Sequence, residues 1–119
     1  MVMSLPPDFS EFLKLLNCHH VDYLLVGGFA VGFHGYPRAT SDMDIWVSQS
    51  PENAGRVVAA IRIEVMNEID GVTFEECRPA AILAFIDGIQ VPIISLGDLK
   101  RNKLASGRPK DIDDLQQLP

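Results

Sequence analysis

Two aspartates spaced two residues apart, Asp42 and Asp44, are the sequence feature most suggestive of chemistry. The segment from Ser41 to Val47 alternates with the period of a β-strand, so both carboxylates are expected on one face of that strand. Adjacent carboxylates repel each other unless a cation lies between them, and hard divalent cations prefer oxygen ligands. The spacing therefore predicts a divalent metal site, although a solvated strand end would show the same pattern.

A third carboxylate on a neighbouring strand would complete a site for two metal ions. Glu64 has a suitable local setting, because Arg62–Met66 is itself predicted to form a short strand. Asp42, Asp44 and Glu64 are therefore the candidate metal ligands and catalytic residues.

A pair of glycines, Gly27 and Gly28, lies between a predicted buried strand over Val21–Val26 and a predicted short helix over Phe29–His34. Glycine lets the backbone approach a phosphate closely, and the N–H groups at the start of a helix favour an anion. A tight strand-to-helix connection would also explain the pair. Its position before the Asp-x-Asp strand would place a metal-bound triphosphate between the two elements, as nucleotidyl transfer requires.

The remaining elements alternate between helix and strand, which predicts the α/β or α+β class. The predicted helices end near Cys18, run from Pro51 to about Ile61 with Ser50 as cap, and run from the cap Ser95 to near Ala105. A last helix covers Lys110–Leu118, with Ile112 and Leu115 facing the core. Between them the pattern predicts the Arg62–Met66 strand, a helical turn at Phe74–Cys77, and a β-hairpin over Ala81–Ile94 that turns at Asp87-Gly88. The junction at Ile61 leaves almost no connecting residues, so either that helix stops earlier or a segment is missing there.

Length and composition predict one domain over residues 1–119, of ordinary globular composition, with 47% hydrophobic and 22% charged residues. Ten basic against 16 acidic residues give a formal net charge of −6, which argues against an extended nucleic-acid-binding surface. The two cysteines imply neither a disulfide framework nor a structural zinc site. Since there is no leader-like segment and no apolar run that could cross a bilayer, a cytoplasmic protein without membrane contact is expected.

The segment from Leu25 to Trp46, LVGGFAVGFHGYPRATSDMDIW, resembles the Gly-Gly…Asp-x-Asp signature of the nucleotidyltransferase-fold superfamily. It is similar to the small bacterial group related to minimal and abortive-infection-type nucleotidyltransferases. Three later segments are similar to that group as well, so the resemblance covers nearly the whole chain: Ile69–Glu76, Val91–Leu99 and Asn102–Leu115. The resemblance implies a mixed β-sheet flanked by helices, a minimal or truncated version of that fold, which binds an NTP as substrate and two Mg²⁺ ions as cofactor.

The resemblance also implies roles for individual residues. Gly27 and Gly28 match the turn that grips the triphosphate, and the three carboxylates named above match the Mg²⁺ ligands. Lys103 and Lys110 match positions where a basic residue faces the nucleotide phosphates, whereas Arg101 and Arg108 are expected on the surface. Relatives usually carry Asp at the position of Glu64, and they have a stretch of a few tens of residues more before this strand.

Two functions remain open from the sequence. The first is Mg²⁺-dependent transfer of a nucleoside monophosphate from an NTP to an acceptor hydroxyl on a tRNA end, a protein or a small molecule. The second is an inactive nucleotidyltransferase-like interaction module, for example one partner of a toxin–antitoxin pair. The intact glycine pair and Asp-x-Asp favour the enzyme, and the shortened middle favours the module. A homodimer or a partner protein would cover apolar surface left exposed by so short a chain.

Overall fold

The fold is an α+β arrangement of helices around one mixed β-sheet, seen in a computed structural model that describes residues 5–38, 42–57, 64–66 and 68–119. For residues 57 and 64–66 the backbone alone is described. The helices are α1 (Pro7–Cys18), α2 (Gly27–Phe33), α3 (Pro51–Val57), α4 (Phe74–Cys77), α5 (Leu96–Ser106) and α6 (Pro109–Gln117). The strands are β1 (Tyr23–Val26), β2 (Asp44–Val47), β3 (Glu64–Met66), β4 (Ile82–Ile86) and β5 (Ile89–Ile93). This confirms the predicted class and the mixed sheet flanked by helices.

The five strands lie in the order β3-β2-β1-β5-β4. β1 pairs antiparallel with β2 and parallel with β5, while β2 and β3 are parallel and β4 and β5 are antiparallel. Every residue of β1 is buried, which is typical of a central strand covered on both faces. The core is therefore built around β1, and α1, α2 and α5 contribute further buried apolar residues.

The β4–β5 hairpin has the two-residue turn that the sequence predicts. Asp87 and Gly88 have φ angles of 51° and 76°, the left-handed values required at the centre of a type I′ turn. Such a turn matches the right-handed twist of the strands that it joins. The turn also contacts the N-terminal segment, because the Asp87 carboxylate accepts a hydrogen bond of 2.7 Å from the Leu5 backbone N–H.

Several predicted helix boundaries are confirmed by capping contacts. Ser50 accepts a hydrogen bond from the backbone N–H of Asn53 at the start of α3, and Ser95 accepts one from Asp98 at the start of α5. The predicted end of the first of these helices near Ile61 and the start of the following strand at Arg62 lie outside the described residues.

Three expectations are wrong. Strand β2 begins at Asp44, so Asp42 precedes the strand instead of lying on it as the alternation predicts. Helix α2 begins at Gly27 rather than Phe29, so the glycine pair forms the first turn of the helix instead of preceding it. On α6 the side chain of Ile112 is half exposed, whereas the residues that α6 buries include Asp111 and Asp114. The helix turns these two carboxylates inward because they meet basic side chains there, as described below.

Strand β4 forms one edge of the sheet and carries apolar residues toward solvent. Leu83 and Phe85 are 55% and 74% exposed. No helix in the described part of the chain is both long enough and apolar enough to cross a membrane.

The Gly88→Ala variant tests the hairpin turn. An added Cβ at Gly88 meets nothing within 4 Å, so its cost comes from the left-handed backbone alone. We expect the free energy of unfolding to fall by about 1 kcal/mol, measured by urea denaturation. Gly97→Ala is the matched control, since its Cβ would also meet nothing but lies within helix α5; it should be neutral or stabilising. Equal stability of the two variants would contradict the turn assignment.

Candidate functional site

One cavity, with a volume of about 370 Å³, collects most of the residues that the sequence singles out. That volume is within the range of pockets that bind small molecules. The predicted site residues on its wall are Gly27, Gly28, Asp42, Asp44, Lys103 and Lys110. These residues come from the start of α2, the start of β2, and helices α5 and α6, so the fold joins distant parts of the sequence at this place.

The first glycine is required by the neighbouring aspartate. In the antiparallel register of β1 and β2, Val26 is opposite Asp44, which brings Gly27 beside the Asp44 carboxylate. A Cβ added to Gly27 would lie 2.1 Å from Asp44 Oδ2, and Gly27 also has a left-handed φ of 64°. Only glycine meets both conditions without strain. The Asp44 carboxylate and the left-handed backbone therefore restrict position 27 to glycine.

The third predicted ligand, Glu64, is on the adjacent strand. The parallel register of β2 and β3 pairs Glu64 with Asp44, so its backbone lies next to the aspartate pair; the position of its side chain is outside the described part of the structure. Among the side chains that are described, no group of three His, Cys, Asp or Glu is placed to hold a metal ion. Of the three predicted ligands, Asp42 and Asp44 are therefore the two whose side chains the structure describes.

Part of the cavity wall is basic. Arg38, Lys103, Arg108 and Lys110 all line it. Lys103 is 4% exposed, and its ammonium group lies 3.0 Å from a carboxylate oxygen of Asp111 and 3.0 Å from one of Asp114. Removing charges from water is costly, so a buried ammonium group needs anionic partners close to it. This requirement fixes the positions of Lys103, Asp111 and Asp114 relative to one another.

The two carboxylates also hold the arginines of this wall. The guanidinium of Arg38 donates two hydrogen bonds to Asp114, of 2.9 and 3.0 Å. Arg108 donates from Nε to Asp111 at 2.7 Å, and the backbone N–H of Arg108 donates to the same carboxylate at 3.2 Å. Planar guanidinium groups held in this two-point manner keep a fixed orientation. Three cations share two anions, so this network retains a formal charge of +1.

The pKa of Asp111 follows from these contacts. Burial by itself would raise the pKa of this carboxyl group, but hydrogen bonds from Arg108 and Lys103 outweigh burial and hold the pKa below its usual value. Asp111 is therefore ionised throughout the physiological pH range.

Two acidic residues that line the cavity, Glu68 and Asp70, come from a loop that is hydrogen-bonded to α5. The backbone oxygen of Asp70 accepts a hydrogen bond from the Asn102 side chain, and the Asp70 carboxylate accepts one from the Ser106 hydroxyl. Gly71 is packed so closely on α5 that an added Cβ would lie 2.5 Å from the Ala105 Cβ. These contacts hold Glu68 and Asp70, both cavity-lining, at one side of the site.

Sequence reasoning missed part of the basic wall. Arg108 was expected on the surface, and its side chain is indeed 58% exposed, yet it also lines the cavity. The Arg108–Asp111 spacing of three residues at a helix start is a visible signal for this pair. Nothing in the sequence pairs Arg38 with Asp114. His34 has a structural contact, since its Nε2 lies 2.8 Å from the Ile94 backbone oxygen.

Comparison with known proteins assigns no family to this chain. No protein-family model matches the chain, and the search of curated proteins finds no similar sequence.

The Gly27→Ala variant tests the contact with Asp44. We expect it to lower the free energy of unfolding by about 3 kcal/mol, because the new Cβ collides with the carboxylate and the backbone is left-handed. In the Asp44→Ala background, where that carboxylate is absent, the same change should cost only the backbone part, about 1 to 2 kcal/mol. A double-mutant cycle from urea denaturation measures the difference. Additive effects would contradict the steric coupling.

The Asp111→Asn variant tests the buried network. At pH 7 we expect the free energy of unfolding to fall by about 3 kcal/mol, since Lys103 and Arg108 lose a charged partner. The folded-state pKa of Asp111 is below its unfolded value of 3.8, so its stabilising effect is present above that pH and is lost as the pH falls through the folded pKa. The gap between wild type and variant should therefore close in acid.

Asp113→Asn is the control for the network, because Asp113 is on the same helix but exposed, with one hydrogen bond from the Tyr36 hydroxyl. Its effect should stay within about 0.5 kcal/mol at every pH. An Asp111→Asn variant as stable as this control would show that the network does not stabilise the fold.

Proposed function

We propose that this chain is a Mg²⁺-dependent nucleotidyltransferase that transfers a nucleoside monophosphate from an NTP to an acceptor hydroxyl. The observation that carries the proposal is that one cavity brings both kinds of charge together. Asp42, Asp44 and the glycine pair line it, and so do four basic side chains. A metal-bound triphosphate is the ligand class that matches both sets of residues at once.

The basic wall suits the triphosphate because its charges are held in place before the ligand arrives. Arg38, Lys103 and Arg108 are each bound to buried carboxylates, so little reorganisation is needed when phosphate oxygens approach. Preorganised positive groups stabilise the charge that develops on a transferring phosphoryl group. Lys110 is exposed at the same wall and adds a further cation.

The aspartate pair fits Mg²⁺ by the chemistry of its donors. Asp42 and Asp44 provide carboxylate oxygens on one cavity wall, and Mg²⁺ is commonly held by one or two carboxylates together with substrate phosphates. Glu64 is the third candidate ligand by its register with Asp44. Bound at these residues, the two ions would lower the pKa of the acceptor hydroxyl and neutralise the leaving pyrophosphate.

The bond changes of the proposed reaction are those of an in-line displacement. The acceptor oxygen forms a bond to the α-phosphorus, and the bond from that phosphorus to the oxygen bridging to the β-phosphorus breaks. Pyrophosphate leaves with the electron pair, and the hydroxyl proton is released to water. Lys103, Arg108 and Lys110 then serve to balance the negative charge of the phosphates.

An interaction module without catalysis is the second candidate, and the apolar edge of the sheet favours it. Leu83 and Phe85 on β4 are more than half exposed on a strand that has one open edge. Such an edge can pair with another chain, either a second copy or a partner protein of the toxin–antitoxin kind. In that case the cavity would be retained as part of the scaffold.

Thermal denaturation with each of the four NTPs, with and without Mg²⁺, tests the proposed function. A ligand that binds only the folded chain stabilises it by about 2.7 kcal/mol at a hundred times its Kd. We expect such a shift for wild type only when Mg²⁺ and NTP are both present, and no shift for Asp42→Asn.

Asp113→Asn, outside the cavity lining, is the matched control and should respond as wild type does. If no NTP shifts the wild-type transition, the interaction module becomes the better explanation. If Asp42→Asn fails to fold, the aspartate pair is structural.

A further inference from the structure

Strand β4 lacks the features by which proteins usually protect an edge strand. Such strands commonly carry a charge, a proline or a bulge that discourages pairing with a further strand. Residues 79–86 include no charged residue, and β4 itself contains no proline. Its pairing with β5 runs residue for residue from Ile82 to Ile86, without a bulge. In the described part of the chain, no strand pairs with the other side of β4.

The hairpin turn decides which backbone groups of β4 point outward. Residues that flank a two-residue turn, here Ile86 and Ile89, form a hydrogen-bonded pair, and such pairs alternate with non-hydrogen-bonded pairs along the strands. Ala84 therefore directs its N–H and C=O groups to β5, whereas Leu83 and Phe85 direct theirs outward. These two residues also have the most exposed side chains of the strand, at 55% and 74%. Backbone and side chain thus make the same two positions available for contact.

Charge favours a second copy of this chain as the occupant of that edge. The chain carries a formal net charge of −6, so two copies repel each other over most of their surface. The uncharged, apolar run 79–86 is where two such copies can meet without placing carboxylates face to face. A basic partner, in contrast, would find no anion on this strand to bind.

We propose that β4 pairs antiparallel with β4 of a second copy, around a two-fold axis at Ala84. This register places Leu83 opposite Phe85 of the partner subunit, and the reverse, so both outward residues form hydrogen-bonded pairs. Opposite residues share a face of the sheet, so four apolar side chains form one cluster across the axis. Antiparallel pairing also keeps the two Asp87 carboxylates at opposite ends, whereas parallel pairing would bring them together.

The proposed dimer does not depend on the proposed function. Among the described residues that line the candidate site, none is on β4, and β3 with Glu64 forms the other edge of the sheet. Pairing at β4 therefore uses no residue of the cavity. The apolar edge that favours an interaction module is then occupied by the chain itself, in an active enzyme as well as in an inactive one.

Sedimentation equilibrium over a micromolar concentration series tests the dimer. We expect the mass of wild type to rise from 13.1 kDa toward twice that value. Added NaCl should strengthen association, because it screens the repulsion between two acidic copies. Phe85→Lys should weaken association at least about tenfold, since the symmetry removes two aromatic side chains and adds two charges.

Leu104→Lys is the matched control for Phe85→Lys. Leu104 is 73% exposed, as Phe85 is 74% exposed, but it lies on α5. We expect this variant to associate as wild type does, and circular dichroism establishes that both variants are folded.

Disulfide formation tests the register, and it decides the matter if Phe85→Lys does not fold. At a non-hydrogen-bonded pair the Cα atoms are about 4.5 Å apart, within the range of a disulfide. With the exposed Cys18 replaced by Ser, Ala84→Cys should give a covalent dimer under mild oxidation, and Leu104→Cys should not. Phe85→Cys should also fail, because its two copies lie diagonally, about 7 to 8 Å apart.

Three results would contradict the inference. A wild type that stays monomeric at every concentration would overturn it and leave the edge to a different protein. A folded Phe85→Lys variant that associates like Leu104→Lys would place the interface elsewhere on the chain. Cross-linking of Phe85→Cys without that of Ala84→Cys would reject the axis at Ala84. None of these results changes the response to Mg²⁺ and NTP by which the proposed function is tested.

Discussion

The buried ion-pair network at Lys103 is the constraint on which the candidate site depends. A lysine ammonium at 4% exposure needs anionic partners, and Asp111 and Asp114 supply them from the next helix. The same two carboxylates bind Arg38 and Arg108, so the network fixes α5, α6 and the segment after α2 relative to one another. The positive wall of the cavity exists because these carboxylates are buried behind it.

A second constraint acts at Gly27. The register of β1 and β2 puts the Asp44 carboxylate where any side chain at position 27 would be. Glycine at that position is thus required by packing against a carboxylate, before any ligand is considered. The aspartate is positioned by a sheet register, whereas Arg38, Lys103 and Arg108 are positioned by ion pairs to a helix.

Local rules predicted much of this fold. The left-handed turn at Asp87-Gly88 and the caps at Ser50 and Ser95 all depend on residues close in sequence. The inward face of α6 did not follow from such rules, because hydropathy favours burying Ile112 over Asp111 and Asp114. Asp111 has a partner three residues away in Arg108, but Asp114 binds Arg38, from which 76 residues separate it.

The candidate site was predictable to a similar degree. Gly27, Gly28, Asp42 and Asp44 are close together along the chain, whereas Arg38 is held at the cavity by a contact with Asp114 that no sequence period encodes. The register of Glu64 with Asp44 agrees with its expected place in the ligand set, and its role stays a prediction.

The parallel pairing of β1 with β5 has a consequence for how the chain folds. This contact joins Leu25 to Ile93, so the central strand gains its second neighbour only after a long loop has closed. Strand pairs of such sequence separation form slowly, while the β4–β5 hairpin forms from local contacts. During synthesis the aspartate strand emerges well before α5 and α6, and the cavity closes as one of the last events. Until then the nascent chain carries Asp42 and Asp44 without Lys103, Arg108 and Lys110, which line the same cavity in the folded chain.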